Sequence, residues 1–136
     1  MARSEITGPV VFDSEGLSRA VRRDPFIRVV ILSAYLANEP VVISAVTLVE
    51  AIHPGIDRSA LAWVRSRLRV VPTTEAIAIS ASEMLAAAKL HGHRHAIDAI
   101  VASTSLTLGG NPTIFTSDSD DFESLVGGKV RIVPLT

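Results

Sequence analysis

The chain has 136 residues, 48% of them apolar and 20% charged, a composition typical of one globular domain with a real core and not of a disordered chain. Thirteen basic and fourteen acidic residues leave a net charge of −1, which argues against nucleic-acid binding through bulk positive charge but allows a local basic groove. The absence of cysteine excludes disulfides, thiolate metal sites and cysteine nucleophiles, and it suits a reducing compartment.

Hydropathy gives no reason to expect a membrane protein. The longest apolar stretch, residues 41–52, contains Ser44, Thr47 and Glu50 and is too short and too polar to cross a bilayer. Residues 1–5 lead into no long apolar segment, so no signal peptide is expected. We therefore expect a cytoplasmic protein without membrane contact. The large apolar share of so small a chain also favours an oligomer.

Short β-branched runs alternate with longer stretches of helical periodicity along the chain. In chain order, the predicted strands are 9–12, 41–44, 69–72, 113–116 and 130–133. The predicted helices between them are 15–22, 25–37, 45–52, 58–68, 74–90, 96–108 and 122–126. Gly92 is expected to end the fifth of these helices, and Gly109 with Gly110 the sixth.

Strands separated by helices are typical of a parallel sheet that is covered on both faces. The predicted fold class is therefore α/β, with a three-layer α/β/α sandwich and a mainly parallel sheet of about five strands. No repeat or linker divides the chain, so residues 1–136 are expected to form a single domain.

Acidic residues recur where the predicted strands end. Asp13 directly follows the first strand, Glu50 lies on the helix after the second, and Asp118 lies two residues beyond the fourth. Because ligands of open parallel sheets bind beyond the carboxyl ends of the strands, we expect these three acids to converge. Asp98 stands in an apolar helical run, where a carboxylate is costly to bury unless it is paired or bound to a metal.

Four carboxylates cannot all ionise close together without a counter-charge, and a divalent cation supplies one. Oxygen ligands without sulfur favour Mg²⁺ or Mn²⁺ over zinc. Such a site suits the attack of water on a phosphodiester, because the metal activates the water and stabilises the charge on the phosphate. The acids Asp13, Glu50, Asp98 and Asp118 together therefore predict metal-dependent phosphodiester hydrolysis.

Each acid also has a simpler interpretation when it is taken alone. Asp13 would serve as a helix cap, and so would residues 120–121 before the last helix. Glu50 would be an ordinary residue of a helix surface, and Asp98 would form a buried pair with Arg94. The joint position of four acids at the expected places favours the metal site over these separate interpretations.

Four segments of the chain resemble motifs of the PIN-domain ribonucleases, most closely the VapC-type toxins of bacterial toxin–antitoxin pairs. The resemblance runs from Val10 to Pro134, and its segments are Val11–Leu17 around Asp13, Ser44–Glu50, His95–Ala102 around Asp98, and Thr116–Phe122 around Asp118. The third and fourth segments are the most specific. The first is weak in isolation.

The resemblance implies a role for each matching residue. Asp13 and Asp98 would hold the metal, Glu50 would ligate it or orient its water, and Asp118 would complete the acidic site. Thr116 would position backbone or substrate.

Some residues near these motifs have less definite roles. Asp118 stands where many relatives carry Asn, which leaves open whether Asp118, Asp120 or Asp121 is the fourth acid of the site. Asp121 is also a candidate cap for the final helix. Arg94 is a supporting candidate that would neutralise the site or contact phosphate.

The activity that the resemblance implies is that of an Mg²⁺- or Mn²⁺-dependent endoribonuclease, a hydrolase with RNA as its substrate. It further implies the toxin of a toxin–antitoxin pair, a cognate antitoxin protein that inserts a segment near the acidic site, and a homodimer.

Other functions agree less well with the residues. A phosphatase of the haloacid-dehalogenase type needs a second Asp two residues after Asp13, where Glu15 stands, and the acidic pair of a receiver domain is missing. A non-catalytic PIN-like module that binds RNA or protein is the remaining alternative, and the retained acids argue against it.

Histidines 91, 93 and 95 lie close together in the chain, but structural zinc usually takes four nitrogen or sulfur ligands. A helix C-terminus stabilised by these histidines is the simpler prediction. The arginines at 19–28 and 58–69 are expected on solvated helix surfaces, with a share of them lining an RNA groove. Trp63 is expected to be a core or interface anchor.

Overall fold

A computed structural model describes residues 6–136, and residues 1–5, on which the signal-peptide prediction partly rests, lie outside the described residues. The strands are β1 Val10–Phe12, β2 Val41–Ser44, β3 Arg69–Val71, β4 Thr113–Thr116 and β5 Arg131–Pro134. The helices are α1 Ser14–Val21, α2 Pro25–Leu36, α3 Ala45–Ala51, α4 Arg58–Ser66, α5 Glu75–Ala88, α6 Gly92–Leu106 and α7 Ser119–Val126. None of these helices combines the length and the apolarity that a membrane span needs.

The strands form one sheet in the order β3-β2-β1-β4-β5, and every neighbouring pair is parallel. The chain moves outward from β1 through β2 to β3 and then crosses to the other side of β1 for β4 and β5. The strand order therefore reverses between β1 and β4, which is where open α/β sheets form a crevice beyond their carboxyl ends.

Helices cover both faces of the sheet. Since successive residues of a strand point to opposite faces, Val10 and Phe12 pack into one core with α1, α2 and α4, and Val11 packs into another with α5, α6 and α7. All three β1 side chains are buried, as expected for a central strand of a parallel sheet. The predicted three-layer α/β/α sandwich is confirmed, and its sheet is parallel throughout.

The boundary between α5 and α6 differs from the prediction. Lys89 adopts a left-handed conformation with φ of 57° and closes α5 after Ala88. The turn is therefore complete before Gly92, which opens α6 four residues ahead of the predicted start at Ala96. Residues 91–95 consequently lie at the start of α6, so the predicted histidine-stabilised helix C-terminus is wrong.

The last helix also begins earlier than predicted. α7 starts at Ser119 instead of Phe122, and Asp120 and Asp121 lie in its first turn, where acidic side chains favour the positive end of the helix. Asp118 occupies the capping position but makes no side-chain hydrogen bond there. The prediction that Asp120 or Asp121 caps the helix is therefore wrong.

Candidate metal centre

Asp13 is the most firmly held acid at the carboxyl edge of the sheet. It directly follows β1, and the residue is only 4% exposed. Its Oδ1 accepts a hydrogen bond from the Gly16 N–H at 2.9 Å, which caps α1, and its Oδ2 accepts one from the Thr116 hydroxyl at 2.6 Å. Asp13 is thus the helix cap that the simpler interpretation expected. Its second oxygen also accepts a hydrogen bond from Thr116, across the crevice between β1 and β4.

Thr116 links two of the acidic segments. The register pairs Phe12 with Phe115, so Asp13, which follows β1, lies beside Thr116, the last residue of β4. The Thr116 hydroxyl donates to Asp13 and accepts a hydrogen bond from the Asp118 N–H at 2.8 Å. Burial raises the pKa of the Asp13 carboxyl, and the hydrogen bond from Thr116 opposes that rise.

Asp98 lies on α6, half-buried, among the other acids. Its pKa is raised to about 7, first by burial and then by the negative charges of Asp118, Asp121, Asp13 and Glu50. Asp98 therefore lies within electrostatic reach of the other three acids predicted from the sequence and of Asp121. Asp13 and Asp118 directly precede α1 and α7, whereas Glu50, Asp98 and Asp121 lie on α3, α6 and α7.

Two of the predicted acids are more accessible than the sequence suggested. Glu50 is exposed on α3, although its neighbours in sequence are apolar, and Asp118 is exposed before α7. The buried pair of Asp98 with Arg94, expected from the simpler interpretation, does not form. Arg94 is exposed, and within residues 6–136 it forms no ion pair with Asp98.

His95 belongs to this group, and the sequence analysis did not include it among the site residues. Potential ligand atoms of His95, Asp98 and Asp121 all lie within 4.8 Å of one another. The His95 Nδ1 is 3.5 Å from an Asp121 carboxylate oxygen. The spacing of His95 and Asp98 is the signal that could have identified it, because residues three apart share a helix face.

The donor set fits a hard divalent cation. It consists of carboxylate oxygens with one imidazole nitrogen beside them, and no sulfur is present in the chain. A cation would supply the counter-charge that the crowded carboxylates need. Asp120 is exposed and is not among the acids that raise the Asp98 pKa, which makes Asp118 and Asp121 the better candidates for the fourth acid.

A second surface feature is an apolar face formed mainly by α2. Its exposed apolar side chains, with Trp63 of α4 beside them, are Phe26, Val29, Leu32, Tyr35 and Leu36. Trp63 is 41% exposed, so the predicted core role is wrong and the interface role stays a prediction. The guanidinium carbons of Arg28 and Arg67 lie 5.6 and 5.4 Å from its ring centroid, within cation–π distance.

No protein-family model matches this sequence, and no curated protein matches it. Among solved structures, one similar chain comes from the crystal structure of VapBC2 from Rickettsia felis bound to a DNA fragment from their promoter. The match has a TM-score of 0.70 and covers 94% of this chain and 99% of that chain, at 18% sequence identity. This chain shares its fold with that VapBC2 chain. The PIN-like fold implied by the four sequence motifs is therefore confirmed, and the function rests on the site itself.

Proposed function

We propose that this protein is an Mg²⁺- or Mn²⁺-dependent endoribonuclease, the toxin of a toxin–antitoxin pair, and that it acts in the cytoplasm. The observation that carries the proposal is the environment of Asp98, a half-buried carboxyl whose pKa is raised to about 7 by burial and four neighbouring carboxylates. Such a strongly perturbed acid in a crevice is typical of functional sites.

In this proposal Asp13, Asp98, Glu50 and Asp118 hold the cation, with His95 and Asp121 beside Asp98. The bound cation supplies the polarisation of the phosphate and the activation of the attacking water. The chain's own contribution is to fix the ligands. Thr116 and the Gly16 N–H each hold one oxygen of Asp13, so that carboxylate is oriented before any ligand binds.

The surface beside the acidic cluster suits an RNA backbone. Four exposed side chains that carry or can take a positive charge precede His95 at the turn into α6: Lys89, His91, His93 and Arg94. Phosphate binding needs such positive groups near the negative ligands of a metal site. We assign to Arg94 a phosphate contact instead of a pairing role with Asp98.

For the antitoxin we propose the apolar surface of α2 as the docking face. Isolated exposed apolar residues are ordinary, but contiguous ones such as Leu32, at 56% exposure, and Tyr35, at 74%, mark a protein interface. A groove of about 590 Å³ between these residues and Trp63 would accept apolar side chains of the partner.

For the homodimer we propose α5. Ten of its fourteen residues are apolar, yet only Ile77 and Ala81 are buried. A helix that is apolar on nearly every face is normally covered, and its exposed Ile79 would be covered by a second copy of the chain.

RNA cleavage with matched variants tests the proposed activity. Purified protein is incubated with total RNA in Mg²⁺ or Mn²⁺ and, separately, in EDTA. We expect cleavage only with the metal and a loss of about a hundredfold or more in Asp98→Asn, because this variant removes a central ligand. Asp120→Asn is the matched control and should cut like the unchanged protein.

The same assay separates the alternatives. Parallel Asp118→Asn and Asp121→Asn variants show which acid completes the site, because the loss should be larger for the true ligand. Cleavage that persists in EDTA or in Asp98→Asn would contradict the proposal. A folded protein that binds RNA and never cuts it would support the non-catalytic module.

A further inference from the structure

Thr47 is a polar residue of α3 that is completely buried, with an exposed fraction of 0%. Its Oγ1 is the one buried side-chain nitrogen or oxygen atom within residues 6–136 that has no hydrogen-bond partner. Leaving a buried hydroxyl unpaired costs the desolvation of that group with nothing in return. Such an exception in a well-paired interior points to a ligand, an ion or an ordered water.

Thr47 lies where the acidic site is built. Ser44 ends β2 and caps α3, so Thr47 falls in the first turn of α3, at the carboxyl edge of the sheet. β2 pairs with β1, whose carboxyl end leads into Asp13. α3 packs against α1, which Asp13 caps, and against α6, which carries Asp98. Glu50 lies one turn further along α3.

Two other buried threonines show what a paired hydroxyl looks like. Thr104 is also completely buried, and its hydroxyl donates to the Ile100 carbonyl of its own helix at 2.7 Å. Thr116 bonds to both Asp13 and Asp118. Thr47 has neither the bond within its helix that threonine commonly makes nor a side-chain partner.

We propose that Thr47 is a positioning residue of the acidic site, whose hydroxyl donates a hydrogen bond to a site oxygen, a carboxylate or a metal-held water, once the cation is bound. The inference rests on the proposed function, because it needs the cation there. Thr47 then acts through the ligands, as Thr116 does from the opposite side of the site. Outer partners of this kind orient metal ligands and strengthen metal binding.

Mn²⁺ affinity and thermal stability, both measured without RNA, test this role. The variants are Thr47→Val, which keeps the shape and removes the hydroxyl, and Thr47→Ser, which keeps the hydroxyl. We expect Thr47→Val to bind Mn²⁺ about tenfold more weakly and Thr47→Ser to bind it like the unchanged protein. In EDTA, the Tm of Thr47→Val should equal or exceed that of the unchanged protein, since an unpaired hydroxyl is lost.

Thr104→Val is the matched control: it should lower the Tm, because it loses a bonded hydroxyl, and it should leave the Mn²⁺ affinity unchanged. Unchanged Mn²⁺ affinity in Thr47→Val, equal weakening in Thr47→Ser, or a Tm loss in EDTA like that of Thr104→Val would each overturn the role. Asp98→Asn in the same titration separates the two proposals. If Asp98→Asn binds Mn²⁺ normally, the proposed metal site is wrong. If Asp98→Asn loses Mn²⁺ binding but Thr47→Val binds it normally, only the role proposed for Thr47 is wrong.

Discussion

At the scale of single residues, Asp98 is where burial and charge act together. Removal from water and four nearby carboxylates both disfavour its ionised form. A bound cation would reverse that preference, because the ion's own charge is the largest in the site. In the metal-free protein, ionisation of Asp98 should therefore lower the free energy of unfolding.

This cost predicts a pH-dependent effect of Asp98→Asn on stability in EDTA. The pKa of Asp98 is raised from 3.8 to about 7 in the folded state. Below pH 3.8 the group is protonated in both the folded and the unfolded state and costs no stability. As the pH rises from 3.8 through 7, the free energy of unfolding falls, because ionisation is easier in the unfolded chain. Asp98→Asn escapes that loss and should be more stable than the unchanged protein at pH 8, on the order of 1–2 kcal/mol after allowing for solvent screening.

Melting curves at pH 4 and pH 8 measure this difference. The advantage of Asp98→Asn should be small at pH 4 and clear at pH 8. Asp120→Asn, which changes an exposed acid, should show no such change with pH. An equal effect of Asp98→Asn at both pH values would contradict the assigned environment.

Thr116→Val tests the hydroxyl that joins Asp13 to Asp118. The change leaves a buried carboxylate oxygen and the Asp118 N–H without their partner, so we expect a loss of about 1–3 kcal/mol in the free energy of unfolding. Cleavage should fall about tenfold or more, since Asp13 loses the hydrogen bond that Thr116 donates to its Oδ2. Urea unfolding measures the loss of stability, and the RNA cleavage assay measures the loss of activity. Thr116→Ser should restore both. A Thr116→Val protein as stable and active as the original would contradict the role of this hydroxyl.

At the scale of elements, the sequence predicted each strand and helix but not every boundary. Glycine is the usual residue for a left-handed helix end, so Gly92 was the expected stop of the fifth helix. The structure makes that turn at Lys89 instead, a residue for which the left-handed conformation is costly and which no local rule selects. Tertiary packing of α5 against α6 therefore decides the boundary, and with it the place of the histidines.

Two exposed apolar helices predict separable effects on assembly. Leu32 on α2 is 56% exposed and Ile79 on α5 is 53% exposed, so a charge at either position should not unfold the protein. Leu32→Glu should abolish capture of the proposed antitoxin and leave the dimer intact. Ile79→Glu should disrupt the dimer and leave capture of the antitoxin intact. Co-purification and light scattering measure the two outcomes, and loss of both properties in both variants would contradict the assignment of faces.

At the scale of the whole molecule, the alternation of strands and helices was enough to predict a parallel sheet with two helical layers. The position of acids at strand ends was enough to bring Asp13, Glu50 and Asp118 to one edge. The sequence could not give the strand order, because parallel strands join through helices that can cross to either side. The sequence left Asp121 as one of three candidates for the fourth acid, and it omitted His95 because α6 was expected to begin only at Ala96.

Anomalous diffraction from crystals grown with Mn²⁺ would test most directly that this edge of the sheet is a metal centre. We predict a peak bounded by the carboxylates of Asp98 and Asp13, and its loss in crystals of Asp98→Asn. No peak at these carboxylates, under conditions in which the protein cleaves RNA, would contradict the claim that the acidic cluster is the catalytic metal site.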